Sequence, residues 1–278
     1  MRHTLVLSLA AALLSGCGML ITPQKEVEIG QGVDKELRKQ YRMVEGSDPV
    51  AGWAKEFIAP LQKGSTAFRN PNEIGGFKVA VIADDRLVNA FAAPGGYTYI
   101  STGLILQSES CAEIAGVMGH ELAHVTQKHG VKTLEQAIAA QQLGTLIFGE
   151  GSLTSEAALT LLNILQSTKF SREDESEADA VGLQISARGG YNPYGLSSFF
   201  QKLLKQEGGA SMPEFLSSHP ATAGRISEVK ADIKKRYGDK YKESAAKTEP
   251  CEKTKLQLDD VKKRIRDKQI KLTPKAGS

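Results

Sequence analysis

Concentrated charge is missing from this sequence: 278 residues carry a formal charge of only +3. Nucleic-acid binders show a focused basic excess together with a recognisable motif, and neither is present, so nucleic acid is excluded as a partner. Internal repeats and low-complexity tracts are absent as well, which removes solenoids and disordered linkers. Beyond the first twenty residues there is no apolar run long enough to cross a membrane. What remains is a chain with 41% hydrophobic residues. That is enough to bury a substantial core in one large domain, or in one domain with a tail.

The N-terminus has its own pattern. Met1-Arg2-His3 is positive, Leu5 to Leu14 is a short apolar run, and Ser15-Gly16-Cys17 follows. A run this brief reads as a secretory signal rather than a membrane helix. Leu14-Ser15-Gly16-Cys17 also resembles the bacterial lipobox, which implies cleavage before Cys17 and an acyl anchor on its thiol. Gly18 stands where an inner-membrane retention signal places Asp, so the expectation is a periplasmic protein lipid-anchored to the outer membrane. The chain then divides into a signal peptide at 1–16, a domain at 17–238 and a basic tail at 239–278. Two cysteines survive cleavage, Cys111 and Cys251. In an oxidising compartment they either pair, tying the tail to the body, or remain two thiols.

Helical spacing of Val27, Ile29, Val33 and Leu37 predicts one helix, and Trp53, Phe57 and Ile58 mark a second near 49–61. Strands are expected at Phe77–Ile82, Ala90–Ala92 and Tyr97–Ser101. Ser110 with Glu113 forms a capping box before an apolar helix that ends near Gly130. A helical hairpin over 133–168 follows, then a helix at 173–188. Further helices are expected from Asn192-Pro193 and from Pro220. From Asp239 onward the sequence holds 12 Lys or Arg against 7 Asp or Glu. Leu258, Val261 and Ile265 give it one apolar stripe, and it reads as a solvated appendage rather than a docked helix.

Chemistry concentrates in Gly119-His120-Glu121-Leu122-Ala123-His124. Residues i and i+4 share a helix face, so both imidazoles can reach one ion. Glu121, beside the first of them, can aim its carboxylate at a metal-bound water and act as general base. A hydrolytic zinc ion needs a third protein ligand, and Glu173-Asp-Glu175-Ser-Glu177-Ala-Asp179 supplies carboxylates downstream. Glu175 and Asp179 lie four apart on one face: one can bind metal while the other accepts an imidazole N–H. Glu177 points elsewhere on the same helix. His129, five residues after His124, reads as a cation at the helix C-terminus.

His120–His124, Ser171-Arg172…Glu175 to Gly182, Asn89-Ala-Phe-Ala-Ala-Pro-Gly-Gly96 and Ser218-His219-Pro-Ala-Thr222…Arg225-Ile226 occur in this order. Together they resemble the CAAX-prenyl-protease-type (HtpX/BepA-like) gluzincins over about residues 25–235. The resemblance implies an α+β, mostly helical zincin-type fold with a small sheet flanking the cleft. It implies Zn2+ on His120, His124 and Glu175, Glu121 as base, and Asp179 supporting a ligand from behind. His219 and Arg225 are implied to be catalytic as well, His219 by stabilising the oxyanion or by covering the metal. Gly95, Gly96, Tyr97, Thr98 and Tyr99 are implied to offer a sheet edge to an extended polypeptide, a central strand being the alternative for Tyr97–Ile100. The expected activity is zinc-dependent endopeptidase action on misfolded or stalled envelope proteins, with outer-membrane assembly factors as partners. The alternative is a zinc-binding, chaperone-like factor with little proteolysis. Membrane-embedded members carry several transmembrane helices and others a helical repeat domain; this sequence shows neither, which leaves substrate identity open.

Overall fold

The computed structural model describes residues 21–140, 158–164, 170–206 and 214–274. The signal, Cys17 and much of the expected 133–168 hairpin lie outside them. Helix α1 spans Pro23–Gln40, with Thr22 accepting the Lys25 N–H as cap and Pro23 in the first turn. Helix α2 spans Pro49–Ser65 and is capped by Asp48 on Val50 N at 2.8 Å. Phe57, Ile58 and Leu61 of α2 are fully buried, each contributing roughly 1.5–3 kcal/mol relative to exposure.

Three strands follow: β1 (Lys78–Ile82), β2 (Ala90–Ala93) and β3 (Tyr97–Ser101). Their order is β1-β3-β2, with β1 parallel and β2 antiparallel to β3. Tyr97–Ser101 is therefore the central strand, hydrogen-bonded on both sides. The expected open edge at Gly95, Gly96, Tyr97, Thr98 and Tyr99 is corrected: β3 has no free backbone row for a substrate, because Lys78–Ile82 and Ala90–Ala93 already fill both. Gly95 and Gly96, both at positive φ, make the tight turn into it.

After α3 (Thr102–Gln107), Ser110 caps α4 (Cys111–Thr126) through Glu113 N at 3.2 Å. Every residue of α4 is buried, the condition of a helix enclosed on all sides. Helices α5 (His129–Ala140), α6 (Arg172–Arg188) and α7 (Gly195–Gln206) follow, with a helical stretch at 158–164 between the first two. α2, α6, α7 and β2 all pack on α4. The α4–α6 crossing is close because two glycines meet. A Cβ on Gly119 would stand 2.8 Å from the Gly182 carbonyl oxygen, and one on Gly182 would stand 2.8 Å from the backbone of His120.

Two helix starts differ from expectation. Asn192 closes a turn by accepting the Tyr194 N–H, and α7 begins only at Gly195. Pro220 lies before the start of α9 (Ala223–Tyr237), which Thr222 caps through Arg225 N at 3.1 Å. Between these two lies α8 (Glu214–Ser218).

The tail is not an appendage. Cys251 is bonded to Cys111 at the first residue of α4. Beyond α10 (Glu243–Ala246), α11 (Leu258–Arg266) buries Leu258, Val261 and Ile265 in the main core beside α2 and α3. Leu272 then pairs with Val44, and Met43 pairs with Ile82 of β1. The apolar stripe decided the outcome, since burying it outweighs the solvation of a basic surface that stays exposed on the other face. Among the described residues, no helix is long and apolar enough to cross a membrane.

Candidate metal centre

α4 carries His120, Glu121 and His124 inside the core, at 0%, 2% and 4% exposure. The glycine crossing sets α6 against them. Ser171 caps α6 through Asp174 N at 3.0 Å, which fixes Glu175 in its first turn and Asp179 one turn on. From the far side, the loop after α8 delivers His219, 3% exposed.

Four donors converge. His120 Nε2 lies 3.0 Å from His124 Nε2 and 3.2 Å from His219 Nδ1. Glu175 Oε1 lies 2.8 Å from His219 Nδ1 and 3.5 Å from His124 Nε2, and its Oε2 lies 3.5 Å from His120 Nε2. One ligand atom from each of the four residues lies within 4.8 Å of the others. Four ligands at about 2.0–2.1 Å around a tetrahedral zinc stand roughly 3.3 Å apart, so this spacing fits such an ion. The polar environment fits too. Three imidazole nitrogens and a carboxylate face one another in a buried interior, and Glu121 Oε1, buried without a hydrogen bond, lies 3.4 Å from His219 Nε2.

Electrostatics sharpen the division of roles. Burial pushes the Glu121 carboxyl above its ordinary range, although the neighbouring imidazoles and the Ala92 backbone oppose it. Burial also pushes Glu175 up, yet His219, His120 and His124 together hold it well below the usual carboxylate range. Burial drives His124 well below its ordinary value. For His120 burial acts in the same direction, but hydrogen bonds to Asp179 and Glu175 outweigh it and raise the ring to about 9.

Asp179 Oδ1 lies 3.0 Å from Nδ1 of His120, behind the cluster. Arg225 binds Asp179 through Nε at 2.8 Å and Nη2 at 2.7 Å, and reaches Glu175 Oε2 through Nη1 at 2.7 Å. It thus clamps two carboxylates. The predicted sheet residues do not join the cluster as a set; the neighbouring strand is β2, whose Ala92 backbone bonds Glu121.

Three neighbours escaped the sequence reading. His129 does not point away: α4 ends at Thr126, Lys128 turns the chain at φ 61°, and His129 folds back, fully buried, against His124. Glu177, assigned to an unrelated face, bonds His129 at 3.1 Å. Phe170 stacks on His124 with ring centres 4.2 Å apart and lies 6.0 Å from His219, forming an apolar cover. An unbroken helical count hid His129, and a lone Phe beside Ser171 gave no signal.

Residues 53–233 match the model of peptidase family M48. The chain is 30% identical over 223 residues to the putative beta-barrel assembly-enhancing protease of Vibrio cholerae, covering 76% of this chain and 44% of that protein. It is 30% identical over 209 residues to the mitochondrial metalloendopeptidase OMA1 of Arabidopsis thaliana, covering 70% and 42% respectively. With the metalloprotease LoiP of Escherichia coli it shares 32% identity over 161 residues, 55% of this chain and 61% of that one. It spans less than half the length of the first two relatives.

Proposed function

The chain belongs to peptidase family M48, and from that premise we propose that it is a zinc-dependent endopeptidase acting on envelope proteins. The observation that carries this reading is the buried convergence of His120, His124 and Glu175 beside the buried Glu121 carboxylate. Those three residues would hold the metal, and a bound zinc would acidify a water and polarise the scissile carbonyl. Glu121 is the general base: burial raises its proton affinity, and its carboxylate takes a proton and passes it to the leaving amine. Asp179 orients His120, and Arg225 holds Glu175 and Asp179 in register. An extended polypeptide passes the outer side of β2, the strand beside Glu121.

The setting we propose is the periplasm, with Cys17 lipidated and anchored in the outer membrane. Misfolded or stalled polypeptides are the substrates and outer-membrane assembly factors the neighbours. The relatives named for beta-barrel assembly support this placement.

One observation favours a second reading, a chaperone-like factor with repressed proteolysis: His219 Nδ1 stands within the donor cluster itself. Two variants separate the readings. Glu121→Gln retains zinc and loses cleavage of an unfolded outer-membrane protein by about 10²–10⁴-fold. Cleavage that persists in this variant, or survives a chelator in the parent, removes the endopeptidase reading. His219→Ala raises cleavage if the imidazole covers the metal and lowers it if the ring stabilises the oxyanion.

A further inference from the structure

His124 presents Nε2 to the donor cluster and leaves Nδ1 facing away from it. That second nitrogen lies 2.9 Å from Nδ1 of His129. The two rings stand nearly perpendicular, 77° apart with centres 4.8 Å apart. His129 is fully buried, and its own Nε2 lies 3.1 Å from Glu177 Oε2 and 3.5 Å from Asp174 Oδ1. The fold makes a specific detour to achieve this. On an unbroken helix a five-residue step turns by about 140°, away from His124. The chain instead leaves α4 after Thr126, reverses at Lys128 and starts α5 on His129 itself.

The directions of these hydrogen bonds follow from the chemistry of imidazole. A ring that lends one nitrogen to a metal carries its proton on the other, so His124 Nδ1 is a donor. His129 Nδ1 must then accept, which leaves the His129 proton on Nε2, facing the two carboxylates. We infer that His129 is a positioning residue that fixes the tautomer and ring plane of His124 by accepting its Nδ1 proton. The inference rests on the proposal that His124 is a metal ligand. It gives each ligand histidine its own support. His120 leans directly on buried Asp179, whereas His124 leans on a neutral ring backed by Glu177, whose side chain is 47% exposed. A histidine buried only to fill space would need no acceptor at Nδ1.

Asparagine and glutamine separate these roles, because the Asn oxygen stands near the place of Nδ1 and the Gln oxygen near that of Nε2. Zn2+ affinity is measured by chelator competition on the whole chain and on His129→Asn and His129→Gln, with folding checked by circular dichroism. His129→Asn should stay within about threefold of the parent and His129→Gln should bind roughly ten- to a hundredfold more weakly, the usual loss when a ligand's outer support goes. Equal affinity in all three, or equal weakening in both variants, overturns the inference. A parent that binds no Zn2+, or binds it undiminished after His124→Ala, overturns the metal centre itself, so the two failures are told apart. Nitrogen-15 NMR of the zinc-loaded parent needs no variant: His129 should be protonated at Nε2, and protonation at Nδ1 overturns the inference.

Discussion

Asp179 is the residue on which two different supports converge, since it faces His120 Nδ1 and receives two bonds from Arg225. Asp179→Asn keeps its size and removes its charge. The expected result is a fall in Zn2+ affinity of roughly ten- to a hundredfold. The Glu175–Arg225 contact remains to hold the fold. Isothermal titration of metal into the variant checks this, and an unchanged affinity would remove Asp179 from the support of His120. At this scale the histidine pair was legible because a four-residue step on a helix leaves no freedom about which face it occupies. Glu175 and Asp179 were legible for the same reason, once a third ligand was required. His129 was not, because counting along a helix assumes that the helix continues, and Lys128 at φ 61° ends it. His219 was readable only through the resemblance: nothing within a His-Pro pair says which core it will enter.

Among the elements, the α4–α6 crossing governs whether the site exists at all. Gly182→Ala places a methyl group 2.8 Å from the His120 backbone. The helices must part, at a cost of about 1–3 kcal/mol for an overpacked core. The separation falls between His120 and Glu175, so metal affinity should drop more than the thermal midpoint does; the two are measured side by side. A second brace ties α4 at its other end. Arg69 binds Glu26 of α1 through both oxygens, at 2.6 and 2.9 Å, and donates to the Val125 carbonyl at 3.0 Å. Both partners are buried, so the pair holds α1 and the end of α4 in one arrangement. Helices and strands were readable from periodicity, but strand order was not. Local pattern marks Tyr97–Ser101 as a strand, while its central place depends on two segments that pair with it from either side.

For the whole molecule, the tail is the part that sequence composition misdescribed. Its charge is real, but Leu258, Val261 and Ile265 belong to the same core as Trp53 and Leu122. The Cys111–Cys251 bond closes a loop of 140 residues, which in the chain-entropy picture stabilises the fold by about 5 kcal/mol. Replacing both cysteines with alanine should lower the thermal midpoint by at least several degrees and make it insensitive to reductant. Two midpoints that agree within error would show that the bond carries little. The same closure also sets a timetable. A chain made from its N-terminus presents the histidine helix more than a hundred residues before Cys251 and Leu272 arrive to seal its surroundings. The cluster of His120, His124 and Glu175 is thus sealed only after the last segments of the fold have been made.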